Sequence, residues 1–113
     1  MSDNMRLTPA EGVWVVRAEG GVVAESRNAW LLQEGEATST VYFPPADVAT
    51  TFLVDSDTRY VCPVKGEAAY FHISAPGGRI EDAAWSYAAP PDAIAAIAEH
   101  IAFDAHLVAV ERL

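Results

Sequence analysis

Short runs of apolar, β-branched and aromatic residues, separated by glycines and charged residues, make up most of the chain. Such runs are typical of β-strands bounded by turns. In the first half they predict five strands, over residues 11–18, 22–26, 29–33, 39–43 and 51–54. Because Glu19-Gly20-Gly21 is a turn signal, we expect the first two strands to form a hairpin. Residues 1–10 are polar and are expected to form a loose lead-in.

Three polar or proline-containing segments interrupt these runs. Residues 44–48 begin with two prolines, which cannot donate to a strand ladder, so they predict a single helical turn or a bend. Residues 55–58 are typical of a turn, because Asp and Ser side chains bond the nearby backbone. Residues 62–66, hereafter the central turn, contain Pro63 and Gly66 and predict a rigid turn.

The last third of the chain predicts a second hairpin and one helix. Residues 68–75 and 79–87 are strand-like on either side of Pro76-Gly77-Gly78. Beyond Pro90-Pro91-Asp92, apolar residues recur at helical spacing and predict a helix that ends near Ala102 or Phe103. Residues 107–110 alternate and predict a last strand. We therefore expect one domain over residues 1–113, mainly β and antiparallel, with one short helix near the C-terminus.

Composition and charge narrow the class of protein. An apolar fraction of 51% and three tryptophans exclude general disorder. We expect a soluble cytoplasmic protein, because no secretory signal or bilayer-length apolar run is present and the single cysteine fits a reducing compartment. A net charge of −9 argues against binding to nucleic acid or to an anionic membrane. Exposed strand edges favour a homo-oligomer without fixing its symmetry.

The central turn holds the most informative chemistry. Cys62 is the only cysteine and Lys65 the only lysine among seven basic residues. A cation near a thiol stabilises the nucleophilic thiolate, so Cys62 and Lys65 are the candidate catalytic pair. The alternative is that Cys62 is a small buried hydrophobe and Lys65 a solvated turn residue. Trp85 and Tyr87 share one strand face and either line a pocket or pack in the core.

Other familiar chemistries find little support. One cysteine and three histidines are too few for a structural zinc site, so we expect no metal and no cofactor. The glycine pairs precede no helix, and no serine stands in a nucleophile-elbow context.

Four motifs in order resemble a bacterial family called domain of unknown function 427. They are Phe43-Pro44-x-x-Asp47-Val48, Cys62-Pro63-x-Lys65-Gly66-x-Ala68-x-Tyr70, Ala84-Trp85-x-Tyr87 and Ile97-Ala98-x-x-Ile101-Ala102-Phe103. The resemblance implies a compact, tent-like (Mss4-like) fold in which two sheets meet over a cleft. Val64 stands where an aromatic residue is usual, and Asp104 replaces another aromatic residue.

The resemblance also implies a site but no reaction. Zinc-binding relatives by shape use paired cysteines, which this chain lacks. Members are sometimes labelled nucleotidyltransferase, whereas this sequence has no nucleotide-binding glycine-rich loop and no recognisable carboxylate pair for a metal. The matching positions are expected to surround one cleft, with Asp47 pairing with Lys65 or with a ligand amine. These positions are Asp47, Cys62, Lys65, Tyr70, Trp85 and Tyr87.

Three functions remain open at this point. The first is a binding module that holds a small molecule or a peptide in the cleft, and it needs the fewest assumptions. The second is a small enzyme that uses Cys62 or Lys65 covalently, with His72 or Asp47 orienting the nucleophile. The third is a structural or subunit-association domain.

Overall fold

The computed structural model describes residues 4–36 and 38–113, which form ten strands in two antiparallel sheets. The mainly β, two-sheet prediction is confirmed. The strands are β1 (Met5–Pro9), β2 (Trp14–Ala18), β3 (Gly21–Ser26), β4 (Trp30–Glu34), β5 (Thr38–Phe43), β6 (Leu53–Cys62), β7 (Gly66–Ala75), β8 (Gly78–Tyr87), β9 (Ile101–Phe103) and β10 (Ala109–Arg112).

The larger sheet has seven strands in the order β1-β4-β5-β9-β8-β7-β6, and the smaller has three in the order β10-β2-β3. Both predicted hairpins, β2–β3 and β7–β8, are confirmed. The central turn links β6 to β7, with Cys62 paired to Gly66. A short 3-10 helix, Pro45–Asp47, confirms the predicted helical turn after β5. No helix among the described residues is long and apolar enough to cross a membrane.

Two hydrophobic clusters lie on opposite faces of the larger sheet. The first cluster is between the two sheets, where Val16 and Val23 of the small sheet pack with residues of the large one. Phe43 and Phe103 meet there edge to face, with ring centroids 5.7 Å apart. Because strand side chains alternate, Tyr42 points to the opposite face. The first cluster therefore packs the small sheet against one face of the large sheet.

The second cluster covers the face of the larger sheet that is turned away from the small sheet, hereafter the distal face. It contains Leu32, Tyr42, Ala68, Tyr87, Ile94, Ile97 and Ala102. A 3-10 helix, Asp92–Ile97, packs Ile94 and Ile97 onto this face, and both are almost fully buried. Ile94 itself departs from helical geometry, with a φ of −127° and a ψ of 30°, so the segment is kinked at the first of these two residues.

The prediction that the helix ends near Ala102 or Phe103 is wrong, because the helix is shorter than predicted. The helical segment stops at Ile97, and Glu99 adopts a left-handed φ of 64° that a helix cannot continue through. Ile101–Phe103 then form β9, which pairs with both β5 and β8 in the middle of the large sheet. Ile94 and Ile97 are buried from the helical part of the segment, and Ile101 from the strand β9, so the apolar residues that share helical spacing come from two different elements.

Three further predictions are corrected. Of residues 51–54, which were predicted to form a strand, the first two belong to a 3-10 helix, Thr50–Phe52, and β6 begins only at Leu53. Within the predicted lead-in, Met5–Pro9 form β1 against β4, while residues 1–3 lie outside the described residues. The turn predicted over residues 55–58 is a bulge inside β6, where the pairing register shifts between Asp55 and Arg59. Ser56 is buried there and donates a 2.6 Å hydrogen bond to Asp82, so the polar cluster is satisfied within a continuous strand.

Candidate functional site

The central turn places Lys65 over the distal face. Pro63 fixes its own φ, and Gly66 takes a φ of 98° that favours glycine, so the chain reverses within three residues. The Lys65 Nζ lies 5.6 Å from the centroid of the Tyr87 ring. It also donates a 2.7 Å hydrogen bond to Glu34 Oε2. The two side chains are 12% and 29% exposed, so this ion pair is largely withdrawn from solvent.

The contact between Lys65 and Glu34 shows that the large sheet is strongly curled. Glu34 is on β4, and the central turn begins β7, four positions away in the strand order. Neighbouring strands are about 4.8 Å apart, so the backbones of the two residues would be about 19 Å apart across a flat sheet, farther than a lysine and a glutamate side chain reach together. Curling brings the two ends of the distal face together. The ion pair therefore spans a concave surface.

The surroundings of Lys65 keep it protonated. Burial acts to lower the pKa of Lys65, but the hydrogen bond from Lys65 to Glu34 and the charges of Tyr42, Glu34 and Cys62 raise it above its ordinary value. A lysine nucleophile needs a lowered pKa that frees the amine. Near neutral pH, Lys65 is accordingly a fixed cation that donates hydrogen bonds.

A group of aromatic residues underlies this ion pair. Tyr42 is 1% exposed, and burial raises its pKa to about 12. Burial also raises the pKa of Tyr87 and, less strongly, that of Tyr70. Trp85 donates a long, 3.4 Å hydrogen bond from Nε1 to the Tyr42 hydroxyl, and its ring lies 6.0 Å from that of Tyr70. These rings make the concave face apolar and rigid around one cation.

Cys62 lies on the same face. It is half-buried and packs against the second cluster. The structure thus brings five of the six predicted site residues onto one face: Cys62, Lys65, Tyr70, Trp85 and Tyr87.

Asp47 is the exception. It accepts a 2.6 Å hydrogen bond from Ser26 of β3 and lies against the small sheet. The expected pairing of Asp47 with Lys65 is not formed, because Glu34 occupies that position. His72 is also engaged elsewhere, since its Nδ1 accepts a 3.0 Å hydrogen bond from the Asp82 backbone. Neither residue orients the Cys62 thiol.

An apolar cavity of about 410 Å³, hereafter the cleft, opens beside the central turn. It is bounded by β1, the central turn and the 3-10 helix, and its lining residues are Met5, Leu7, Pro63, Val64, Pro91, Ala93 and Ile94. A smaller cavity of about 190 Å³ shares Met5 and Val64 with it and reaches Glu34. The smaller cavity thus links the cleft to Glu34, whereas Lys65 lines neither cavity. None of the six predicted site residues lines the cleft, whose walls are aliphatic rather than aromatic.

Sequence reasoning missed Met5, Leu7 and Glu34. The alternation of Met5 and Leu7 with polar neighbours was a strand signal, obscured by the polar character of the first ten residues. No local signal marks Glu34, because its role depends on the curl of the whole sheet. Within residues 4–36 and 38–113, no group of three or more His, Cys, Asp or Glu side chains is arranged to hold a metal ion.

Comparison with known proteins gives one family match. A family model named NTP_transf_9 and described as "Domain of unknown function (DUF427)" matches residues 6–112. A search of curated proteins finds no match. The family match covers nearly all of the chain, including the central turn and every strand of the distal face.

Proposed function

The chain belongs to the DUF427 family, whose description names no reaction, and from this premise we propose that it is a binding module. Its ligand occupies the cleft and places a polar group against Lys65 and Glu34. The observation that carries the proposal is an apolar cavity of ligand size. Through Met5 and Val64 it meets a smaller cavity that reaches Glu34, which forms the 2.7 Å, largely buried ion pair with Lys65. Ligand sites are typically about 300–1,000 Å³, mostly apolar, with a few fixed polar groups.

The cleft favours a ligand of mixed character. Its aliphatic lining suits an apolar body. The Lys65 ammonium has three N–H donors, of which Glu34 takes one, and the Glu34 carboxylate retains acceptor capacity. A group that both accepts and donates, such as an amide, can bond to both members of the pair. A purely anionic group would face the Glu34 charge as well as Lys65.

Binding is better supported than covalent catalysis. Lys65 has a raised pKa, which disfavours a nucleophilic amine. A cysteine nucleophile is usually oriented by a third group. The two residues considered for that task, His72 and Asp47, are engaged by Asp82 and Ser26. The nucleotidyltransferase label of the family gains no support from the lining of the cleft, which contains no basic side chain.

The test is a fragment screen followed by backbone-amide NMR. The panel contains aliphatic acids, primary amides and N-acetylated amino acid amides. We expect the amides to shift the signals of Met5, Leu7 and Val64. Val64→Arg, which fills the opening of the cleft from a 43% exposed position, should abolish these shifts. Val61→Arg, at a 68% exposed position that does not line the cleft, is the matched control and should retain them.

The binding proposal fails if no fragment in the panel shifts a signal from the cleft. It also fails if the shifts persist unchanged in Val64→Arg, because binding would then occur elsewhere.

A further inference from the structure

The free edge of β1 offers unpaired backbone groups. At one end of the β1–β4 ladder, Ala10 N–H donates to the Ala29 carbonyl at 2.9 Å. At the other end, Gly35 N–H donates to the Asn4 carbonyl at 3.0 Å. In an antiparallel pair, alternate residues point their N–H and C=O groups toward the partner and away from it. Even-numbered residues of β1 thus face β4, and Met5 and Leu7 face the free edge.

These groups have no partner among the described residues, since no strand or loop there hydrogen-bonds to the N–H or C=O of Met5 or Leu7. Pro9, the next residue with the same orientation, has no N–H and ends the usable edge. Two residues, Met5 and Leu7, therefore present two donors and two acceptors, spaced about 6.8 Å apart along the strand.

The same two residues line the cleft. Their side chains pack on the distal face and border the cavity, while their backbone groups point along the sheet toward its open side. A ligand in the cleft consequently contacts apolar side chains and, at the same time, lies beside the main-chain donors and acceptors of Met5 and Leu7. An extended main chain satisfies both, because its N–H and C=O groups repeat at the same spacing.

We propose that the ligand of the cleft is an extended peptide segment of a partner protein that adds to β1 as an antiparallel strand. This inference rests on the proposed function, since it names the ligand class of the same cleft. Antiparallel addition matches every pairing in both sheets. It forms four hydrogen bonds, two with Met5 and two with Leu7.

The side chains of β1 determine which peptide fits. Residues opposite Met5 and Leu7 lie on their face of the sheet and point into the aliphatic cleft, so they are apolar. The residue between them lies opposite Arg6, which is exposed and forms no ion pair within the described part of the chain. A carboxylate at that position pairs with Arg6. The preferred sequence is apolar-acidic-apolar.

A second copy of this chain is a poorer occupant. Pairing of two β1 strands about Arg6 would place two guanidinium groups directly opposite each other, which is destabilising. Pairing about Leu7 would set Pro9 of each copy opposite Met5 of the other and remove two of the hydrogen bonds. Charged residues and prolines on an edge strand are common means of preventing self-association. The edge is thus suited to a different chain with a complementary charge.

The experiment measures binding of the acetylated, amidated peptide Ser-Val-Glu-Val-Ser by calorimetry and backbone-amide NMR. We expect binding with shifts at Met5 and Leu7. N-methylation of both valines removes the N–H groups that face β1 and should weaken binding by about tenfold or more. N-methylation of the central glutamate, whose N–H points away from β1, is the matched control and should change binding by less than about threefold.

Two protein variants test the β1 side of the contact. Leu7→Ala removes the side chain and keeps the N–H, whereas Leu7→Pro removes both, and thermal unfolding checks that each variant folds. We expect the proline variant to bind at least about fivefold more weakly than the alanine variant. Arg6→Glu should weaken the binding of Ser-Val-Glu-Val-Ser and strengthen the binding of Ser-Val-Lys-Val-Ser, because the charge that faces the central peptide residue is reversed.

The outcomes separate this inference from the proposed function. If amide fragments shift cleft signals but the peptide does not bind, or if both N-methylated peptides bind equally, strand addition is overturned and the binding module stands. If neither fragments nor peptide bind, both are overturned. If sedimentation shows a dimer that Leu7→Pro abolishes and the peptide does not compete, the occupant is a second copy and the inference is overturned.

Discussion

The Lys65 ammonium lies 2.7 Å from the Glu34 carboxylate, although three strands of the large sheet separate the elements that carry them. The pair joins the two sides of the curled sheet above the Tyr87 ring. Its Glu34 member lines the smaller cavity that shares Met5 and Val64 with the cleft, so this contact connects the shape of the sheet to the proposed binding site.

Breaking this ion pair should destabilise the fold. We expect Lys65→Met or Glu34→Gln to lower the free energy of unfolding by about 1–3 kcal/mol. The first leaves the Glu34 carboxylate unpaired, and the second leaves the largely buried Lys65 ammonium without its counter-charge. The double variant should cost less than the sum of the two single changes. Urea denaturation measures all three.

The matched control for the ion pair is Arg17 with Glu111, 3.4 Å apart with side chains about half exposed. Glu111→Gln should cost less than about 1 kcal/mol. Equal decreases in the free energy of unfolding at both ion pairs would show that burial does not increase the contribution of the Lys65–Glu34 pair to stability.

Stability should decrease as the solution becomes alkaline. Burial raises the pKa of Tyr42 from 10.0 to about 12, so the unfolded chain releases this proton first as pH rises. The contribution of protonated Tyr42 to the free energy of unfolding is complete below pH 10.0 and declines toward pH 12, by up to about 1.4 kcal/mol per pH unit. The raised pKa of Lys65 acts in the same direction.

The alkaline effect is checked by the pH dependence of urea denaturation. Tyr42→Phe should flatten the decline above pH 10, because phenylalanine has no proton to lose. Tyr60→Phe is the control, since its side chain is 53% exposed, and it should leave the slope unchanged. A slope that is the same in both variants would show that Tyr42 is not responsible.

Val64 should control which ligands the cleft accepts. It lines the cavity and is 43% exposed, so Val64→Phe should change the free energy of unfolding by less than about 0.5 kcal/mol. The larger ring narrows the opening, and we expect binding of branched amides to weaken relative to that of short linear ones. Calorimetric titration of the original protein and of Val64→Phe with the same amides tests this prediction. The same order of affinities in both proteins would contradict it.

Cys62 should be dispensable for binding. It packs against the second cluster but does not line the cleft. We expect Cys62→Ala to bind the amide fragments within about twofold of the unmodified protein, because no bond to the ligand is lost. A complete loss of binding in a folded Cys62→Ala variant would instead support covalent or direct participation of the thiol.

Much of the strand framework could be predicted because it is encoded locally. The β2–β3 and β7–β8 hairpins have strong turn signals between strand-like runs. The elements that were missed depend on distant partners. Met5–Pro9 is a strand because β4 lies beside it, and Ile101–Phe103 is a strand because β5 and β8 leave room between them.

The site was partly predictable for the same reason. Strand alternation places three aromatic residues on one face, Tyr70, Trp85 and Tyr87, and the recognisable turn next to them carries Lys65. Glu34 could not be assigned, because its contact arises only when the sheet curls. Asp47 followed a clear motif, but the proline-rich 3-10 helix directs it toward Ser26 instead.

The position of β9 has a consequence for how the protein is made. Ile101–Phe103 is the sole link between β5 and β8 among the described strands of the large sheet. Until these residues are free to pair, the large sheet can form only two disconnected ladders, β1-β4-β5 and β8-β7-β6, with open apolar borders. Pairing over such long sequence separations is slow and leaves the nascent chain prone to aggregation. Aggregation of the incomplete chain should therefore be greatest when every strand except Ile101–Phe103 is available to pair.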